Sequence, residues 1–79
     1  MANRVLERLH IRRELALLVE LAARREATAR ELAAATRIPG KSAQRTLMVL
    51  EADEVVVRRE KRKGRSMSFV YELAKIEGL

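Results

Sequence analysis

Lys41, Ser42, Gln44 and Arg45 fall close together in the chain and carry the hydrogen-bonding repertoire that reads base edges. Arginine and lysine donate to guanine O6 and N7, glutamine pairs with adenine N6 and N7, and serine serves either. A second set follows in RREKRKGR, residues 58–65, where Arg58, Arg59, Lys61, Arg62, Lys63 and Arg65 face the single anion Glu60. Like charges at this density repel one another unless an anionic partner covers them. Laid on a duplex, they neutralise phosphates or push an arginine into the minor groove. Arg30 and Arg37 flank the first set and are placed to brace the neighbouring backbone.

Other chemistries find no residues to perform them. The chain has no cysteine, and His10 is its single histidine, so thiolate and zinc sites are excluded and no metal is expected. There is no glycine-rich phosphate loop, and Ser42 beside Lys41 lacks a third group to activate a nucleophile. Catalysis, a cofactor and a small-molecule ligand are therefore not expected. Phe69 and Tyr71 are the only aromatics and fall on one side of an alternating run. That is a core-packing pattern, not a stacking platform for single strands.

The overall charge agrees with a polyanionic partner. The 79 residues carry a net charge of +6, and 13 of the 17 cations are arginine. Residues 1–39 hold eight cations and five anions, whereas residues 58–65 alone hold six cations and one anion. Positive charge is thus concentrated late in the chain, which favours binding to nucleic acid without constraining the fold. The length suits one domain, residues 1–79, with a thin core. No apolar run approaches the roughly 20 residues that span a bilayer, and no leader pattern is present. A soluble cytoplasmic, nucleoid-associated protein is expected.

The elements that must position these side chains follow from period and punctuation. Residues 3–24 lack glycine and proline. Ile11, Leu15, Leu18 and Ala22 form an amphipathic stripe, with Asn3 as N-cap, so a helix is expected over 3–24. Thr28-Ala29-Arg30-Glu31 is a capping box, opening a helix over 29–37 that must stop before Ile38-Pro39. A third helix over 41–52 has Ala43, Leu47 and Leu50 as its apolar face, with Met48 or Val49 beside them. Its exposed start carries Lys41, Ser42, Gln44 and Arg45. The period then changes to two. Strands are expected over 55–60 and 67–73, where Met67, Phe69, Tyr71 and Leu73 alternate, joined by a basic loop in which Gly64 takes a positive φ.

Residues 28–57, TARELAAATRIPGKSAQRTLMVLEADEVVV, resemble the winged-helix domain of IclR-type and MarR-type transcription regulators. The shared pattern falls on Glu31, Leu32, Ala33, Thr36, Ile38 and Pro39, then on Ser42, Arg45, Leu47, Leu50, Glu51, Val55 and Val56. The match covers 30 of the 79 residues, and the hairpin to Leu73 extends it to 46. The resemblance implies a mainly α fold with a β-hairpin (α+β), a winged helix-turn-helix in the order helix, helix, helix, strand, strand. It also implies that the third helix lies in the major groove with its first residues nearest the bases. The sequence departs from that family in having Asp53-Glu54 where a left-handed glycine usually ends the third helix. A non-glycine residue there costs about 1 kcal/mol or more, and Asp53 would accept the conformation better than Glu54. No ligand-sensing or long dimerisation domain of the kind such regulators carry is expected within these 79 residues.

The expected function is binding of double-stranded DNA by a small transcription regulator, with helix 41–52 in the major groove and the wing 58–65 on backbone or minor groove. The alternatives are a DNA-packaging protein with little sequence preference and an RNA-binding or ribosomal winged helix. Helix-turn-helix proteins commonly bind two-fold sites as dimers. Val5, Leu6 and Leu9, with Ile76 and Leu79, are the candidate homodimer surface, and a core role for the same residues is the competing reading.

Overall fold

Thr28 decides where the second helix begins. Its backbone is extended, with φ −77° and ψ 160°. The Glu31 amide donates to Thr28 Oγ1 at 3.1 Å, and the Thr28 amide donates to the Glu31 carboxylate at 2.9 Å. The expected capping box is complete, and it opens a helix at Ala29. The computed structural model describes residues 2–75, apart from the side chains of residues 2–7 and of Leu9.

Three helices and three strands run along the chain: α1 (Ala2–Arg24), β1 (Glu26–Ala27), α2 (Ala29–Thr36), α3 (Gly40–Ala52), β2 (Val56–Lys63) and β3 (Ser66–Leu73). Asn3 lies inside α1 and not at its cap. Arg37, expected as the last helical residue of the second helix, takes a left-handed φ of 60° and ends it. Pro39 then stands as N-cap of α3. Proline suits that place, because the first helical amides have no intrahelical partner to lose. At the far end of α3 the left-handed residue is Glu54, at φ 61°, while Asp53 stays at φ −83°. The expected preference for Asp53 is reversed. The Val55 amide donates to the Leu50 carbonyl at 2.9 Å there, which selects the register.

The strands form one antiparallel sheet in the order β1-β3-β2. The fold is α+β as expected, with a third strand that the period analysis did not contain. β1 is two residues long, too short to show alternation, and pairs Glu26 with Glu72 and Ala27 with Tyr71. The second difference is in the hairpin. Residues 61–63, expected as loop, continue β2 up to the pair Lys63 and Ser66. Only Gly64 and Arg65 remain as the turn. Gly64 has φ 62° and Arg65 does not share the positive φ, the sign pattern of a type II′ hairpin turn. Alternation relieves the charge repulsion that favoured a loop, because successive cations leave on opposite faces.

The core joins the helices to one face of this sheet. Leu17 and Leu21 of α1, Leu32 of α2, and Ala43, Leu47 and Leu50 of α3 meet Ala27, Val56 and Tyr71. Leu18, Ala29, Ala33 and Ile38 pack against its edge. Three expectations are corrected here. Ile11 and Leu15 do not face the core: they stand 55% and 57% exposed, and Leu17 and Leu21 take the buried side. Phe69 is 43% exposed, so of the β3 alternation Tyr71 alone is buried. Met48 and Val49 are both exposed. In each case the residue is apolar and periodic, but no other element among the described residues buries it.

Candidate nucleic-acid interface

Helix α3 buries Ala43, Thr46, Leu47 and Leu50, so its outer face is set by the residues between them. Lys41, Gln44 and Arg45 are exposed on it, joined by Met48, which is 63% exposed. Ser42 is half-buried, and its carbonyl accepts the Thr46 hydroxyl at 2.9 Å. It therefore sits at the margin of the face. No side chain caps α3 at Pro39. Its first amides point outward without a protein acceptor from that cap, an arrangement suited to an anion.

Gln44 and Arg45 diverge around the helix. Gln44, Met48 and Glu51 line a groove of about 470 Å³ whose other wall is the hairpin, with Arg58, Phe69 and Tyr71. Thr28, Ala29 and Arg30 close that groove from the start of α2. Arg45 lies on the far flank with Val49, beside His10 and Glu14 of α1. Arg37 is exposed in the turn between α2 and α3.

The hairpin has two faces, and the register assigns its cations between them. Arg58 pairs with Tyr71 and Arg62 with Met67, so Arg58, Glu60 and Arg62 share the face of the buried Tyr71. Arg59, Lys61 and Lys63 leave on the opposite face. There Glu26 of β1 holds two of them, pairing with Arg59 and with Lys61 at 2.6 Å. The Lys61 hydrogen bond and charge, with Arg59 behind them, hold the Glu26 carboxyl below the usual carboxylate range. Arg59 also approaches Glu72 at 3.6 Å. On the groove face Arg58 reaches Glu51 of α3 at 3.5 Å, and Arg62 reaches Glu60 at 3.2 Å.

Among the described residues, Arg30, Arg37, Lys41, Arg45, Lys63 and Arg65 form no ion pair. The structure thus brings Arg30, Gln44 and Arg58 to one groove, with Lys41 and Arg45 on the adjoining outer face of α3. It does not bring Arg59 and Lys61 to that groove. Sequence reasoning missed Met48 as a face residue, although it stands one helical turn after Gln44. It also missed Glu26 and Glu51 as partners of the wing, for which only the tertiary fold supplies the signal.

No group of metal-ligating side chains is found among the described residues. No helix among them is long and apolar enough to cross a membrane.

No protein-family model matches the chain, and no curated protein matches it. The likeness to IclR-type and MarR-type regulators therefore rests on the motif residues alone. Among solved structures, the chain is similar to Stf76 from the Sulfolobus islandicus plasmid-virus pSSVx, with a TM-score of 0.73 at 22% sequence identity. The likeness covers 82% of this chain and 84% of that one. At that identity it shows a shared fold.

Proposed function

We propose that the chain is a winged helix-turn-helix protein that binds double-stranded DNA as a small transcription regulator. In this reading α2 and α3 are the helix-turn-helix, α3 enters the major groove, and the β2–β3 hairpin is the wing. The observation that carries it is the outer face of α3. Lys41 and Arg45 stand there without ion-pair partners among the described residues, with Gln44 exposed beside them, next to a groove walled by the basic hairpin. A helix face that served only solubility would be laced with acids at i±4. Among the described residues Glu51 is the only acid lining the groove, and Arg58 already engages it.

Roles follow from chemistry. Gln44, Lys41 and Arg45 are the base-reading side chains, with Ser42 at the margin. Arg30, Arg37 and the open α3 amides hold phosphates on either side. Arg58, Arg62, Lys63 and Arg65 carry the wing's share of the backbone contact. Arg59 and Lys61 contribute less, since Glu26 pairs with both and Glu72 also approaches Arg59.

The test titrates the protein against specific, random-duplex and structured-RNA probes at two salt concentrations, the specific site first being obtained by selection from random DNA. A specificity ratio above ~10³ is expected for a regulator. A ratio near one would replace this reading with a packaging protein, and preference for the RNA would replace it with an RNA-binding one. Arg45→Ala is expected to lose discrimination. Arg62→Ala should weaken all duplexes alike and flatten the log–log salt slope by about one.

A further inference from the structure

Phe69 is an aromatic ring that the chain itself leaves uncovered. It stands two residues from Tyr71 on β3, so both point to the face of the sheet that carries α3. Tyr71 is buried there, whereas Phe69 is 43% exposed and lines the groove between α3 and the hairpin. Met48 of α3 lines the same groove and is exposed as well. The groove lies wholly within the described residues. The homodimer surface expected at Val5, Leu6 and Leu9, with Ile76 and Leu79, lies outside the described side chains.

Cations stand on both sides of this apolar surface. β1 leads into α2 along one edge of the sheet, and β2 forms the other edge. Arg30 therefore enters the groove from the β1 side and Arg58 from the β2 side, with Phe69 of β3 between them. Arg30 forms no ion pair among the described residues. Glu51 stops 3.5 Å from Arg58 Nε, and a guanidinium has five N–H donors, so donors remain on Arg58. Glu60, the cross-strand partner of Phe69, is held by Arg62 at 3.2 Å.

We propose that this groove seats one sugar-phosphate strand of the duplex, with Arg30 and Arg58 on successive phosphates and Phe69 against the deoxyribose between them, and that it thereby selects DNA over RNA. The order cation, carbon surface, cation is the complement of phosphate, sugar, phosphate. A base edge would need donors or acceptors where the Phe69 ring offers neither. Position agrees with this occupant. With α3 in a major groove and the hairpin over the neighbouring minor groove, the strand dividing the two passes between these elements.

Discrimination follows from what Phe69 lacks. A ribose pressed on that ring would bury its 2′-hydroxyl against carbon, without a partner for its proton or its lone pairs. That hydroxyl is the group by which a protein tells the two sugars apart.

This placement rests on the duplex-binding reading, and probes built on one selected site separate the two. Each deoxyribose is replaced by ribose in turn. Ribose at one sugar should weaken binding about five- to tenfold. A 2′-fluoro sugar there, which has no hydroxyl, should bind as deoxyribose does. Methylphosphonate, which removes the charge of one phosphate, should weaken binding at both phosphates flanking that same sugar. Arg30→Ala should lose the sensitivity at one of them and Arg58→Ala at the other. Phe69→Ala should bind the ribose and deoxyribose sites alike, while Phe69→Leu, which keeps a carbon surface, should retain part of the difference. No ribose-sensitive sugar, or a ribose effect that survives in Phe69→Ala, would give the groove to another occupant and overturn the proposal. A fluoro loss equal to the ribose loss would overturn it too, since sugar shape would then be what is read. So would charge-sensitive phosphates that do not flank the sugar. Each of these results leaves duplex binding standing, whereas a chain that binds no duplex would end both.

Discussion

Arg58 lies over Phe69, its guanidinium carbon 4.7 Å from the ring centroid. The two are diagonal neighbours across β2 and β3, since Arg58 pairs with Tyr71 and Glu60 with Phe69. The ring is exposed, so its role is to steady the guanidinium at the groove mouth, where Glu51 holds it from the other side. A double-mutant cycle of Arg58→Ala and Phe69→Ala in urea unfolding should give a coupling of about 0.5–1 kcal/mol, the scale of an exposed cation–π pair. Strictly additive losses would mean the two residues are adjacent without interacting.

Glu26 restrains two wing cations on the face away from the groove. Glu26→Gln should free Arg59 and Lys61, raise affinity for random duplex several-fold at low salt and steepen the salt dependence. In the unmodified protein Arg59→Ala should leave the log–log slope nearly unchanged, while Arg62→Ala flattens it by about one. Equal slopes for the two variants would show that the hairpin's faces do not divide the work.

Met48 offers an exposed thioether one turn beyond Gln44. Apolar contact with the thymine methyl is the chemistry open to it in a major groove. Replacing thymines one at a time by deoxyuridine in a selected site should weaken binding at one or two positions by about five- to tenfold, near 1 kcal/mol. Met48→Ala should bind both versions alike. A uridine effect that persists in Met48→Ala would assign the methyl contact to another residue.

The capping box makes α2 acid-sensitive. Hydrogen bonds from the Thr28 amide, then the Thr28 side-chain contact, hold Glu31 below its ordinary value of 4.5. A lowered folded-state value means that the stabilisation is fully present above the unfolded value and is lost as pH falls through the folded one. The melting temperature should therefore fall below about pH 4.5, and Thr28→Ala should lose about 1 kcal/mol at neutral pH with a shallower acid decline. An unchanged acid decline in Glu31→Gln would place the sensitivity elsewhere, since Thr28→Ala keeps the backbone amide that contributes most.

Glu31 and Thr28 also illustrate what is legible without coordinates. A capping box, a proline turn and a hairpin glycine are local devices, each satisfied by atoms a few residues apart, and each stands where its residues predict. The same holds for the outer face of α3: once Ala43, Leu47 and Leu50 are read as buried, Lys41, Gln44 and Arg45 follow by helical spacing. Phe69 and Ile11 were misread for the opposite reason. Periodicity says which residues share a face, but not whether another element arrives to cover it.

The amino-acid order alone determined the helix boundaries near Thr28 and Pro39, the hairpin turn at Gly64, the concentration of positive charge in the hairpin, and the set of side chains able to read bases. Tertiary structure decided which side of α1 is buried, because that helix is apolar on both and carries no local preference. It also decided which wing cations remain unpaired. Glu26 is more than thirty residues from Arg59 and Lys61, and only the pairing of β1 with β3 brings its carboxylate to them.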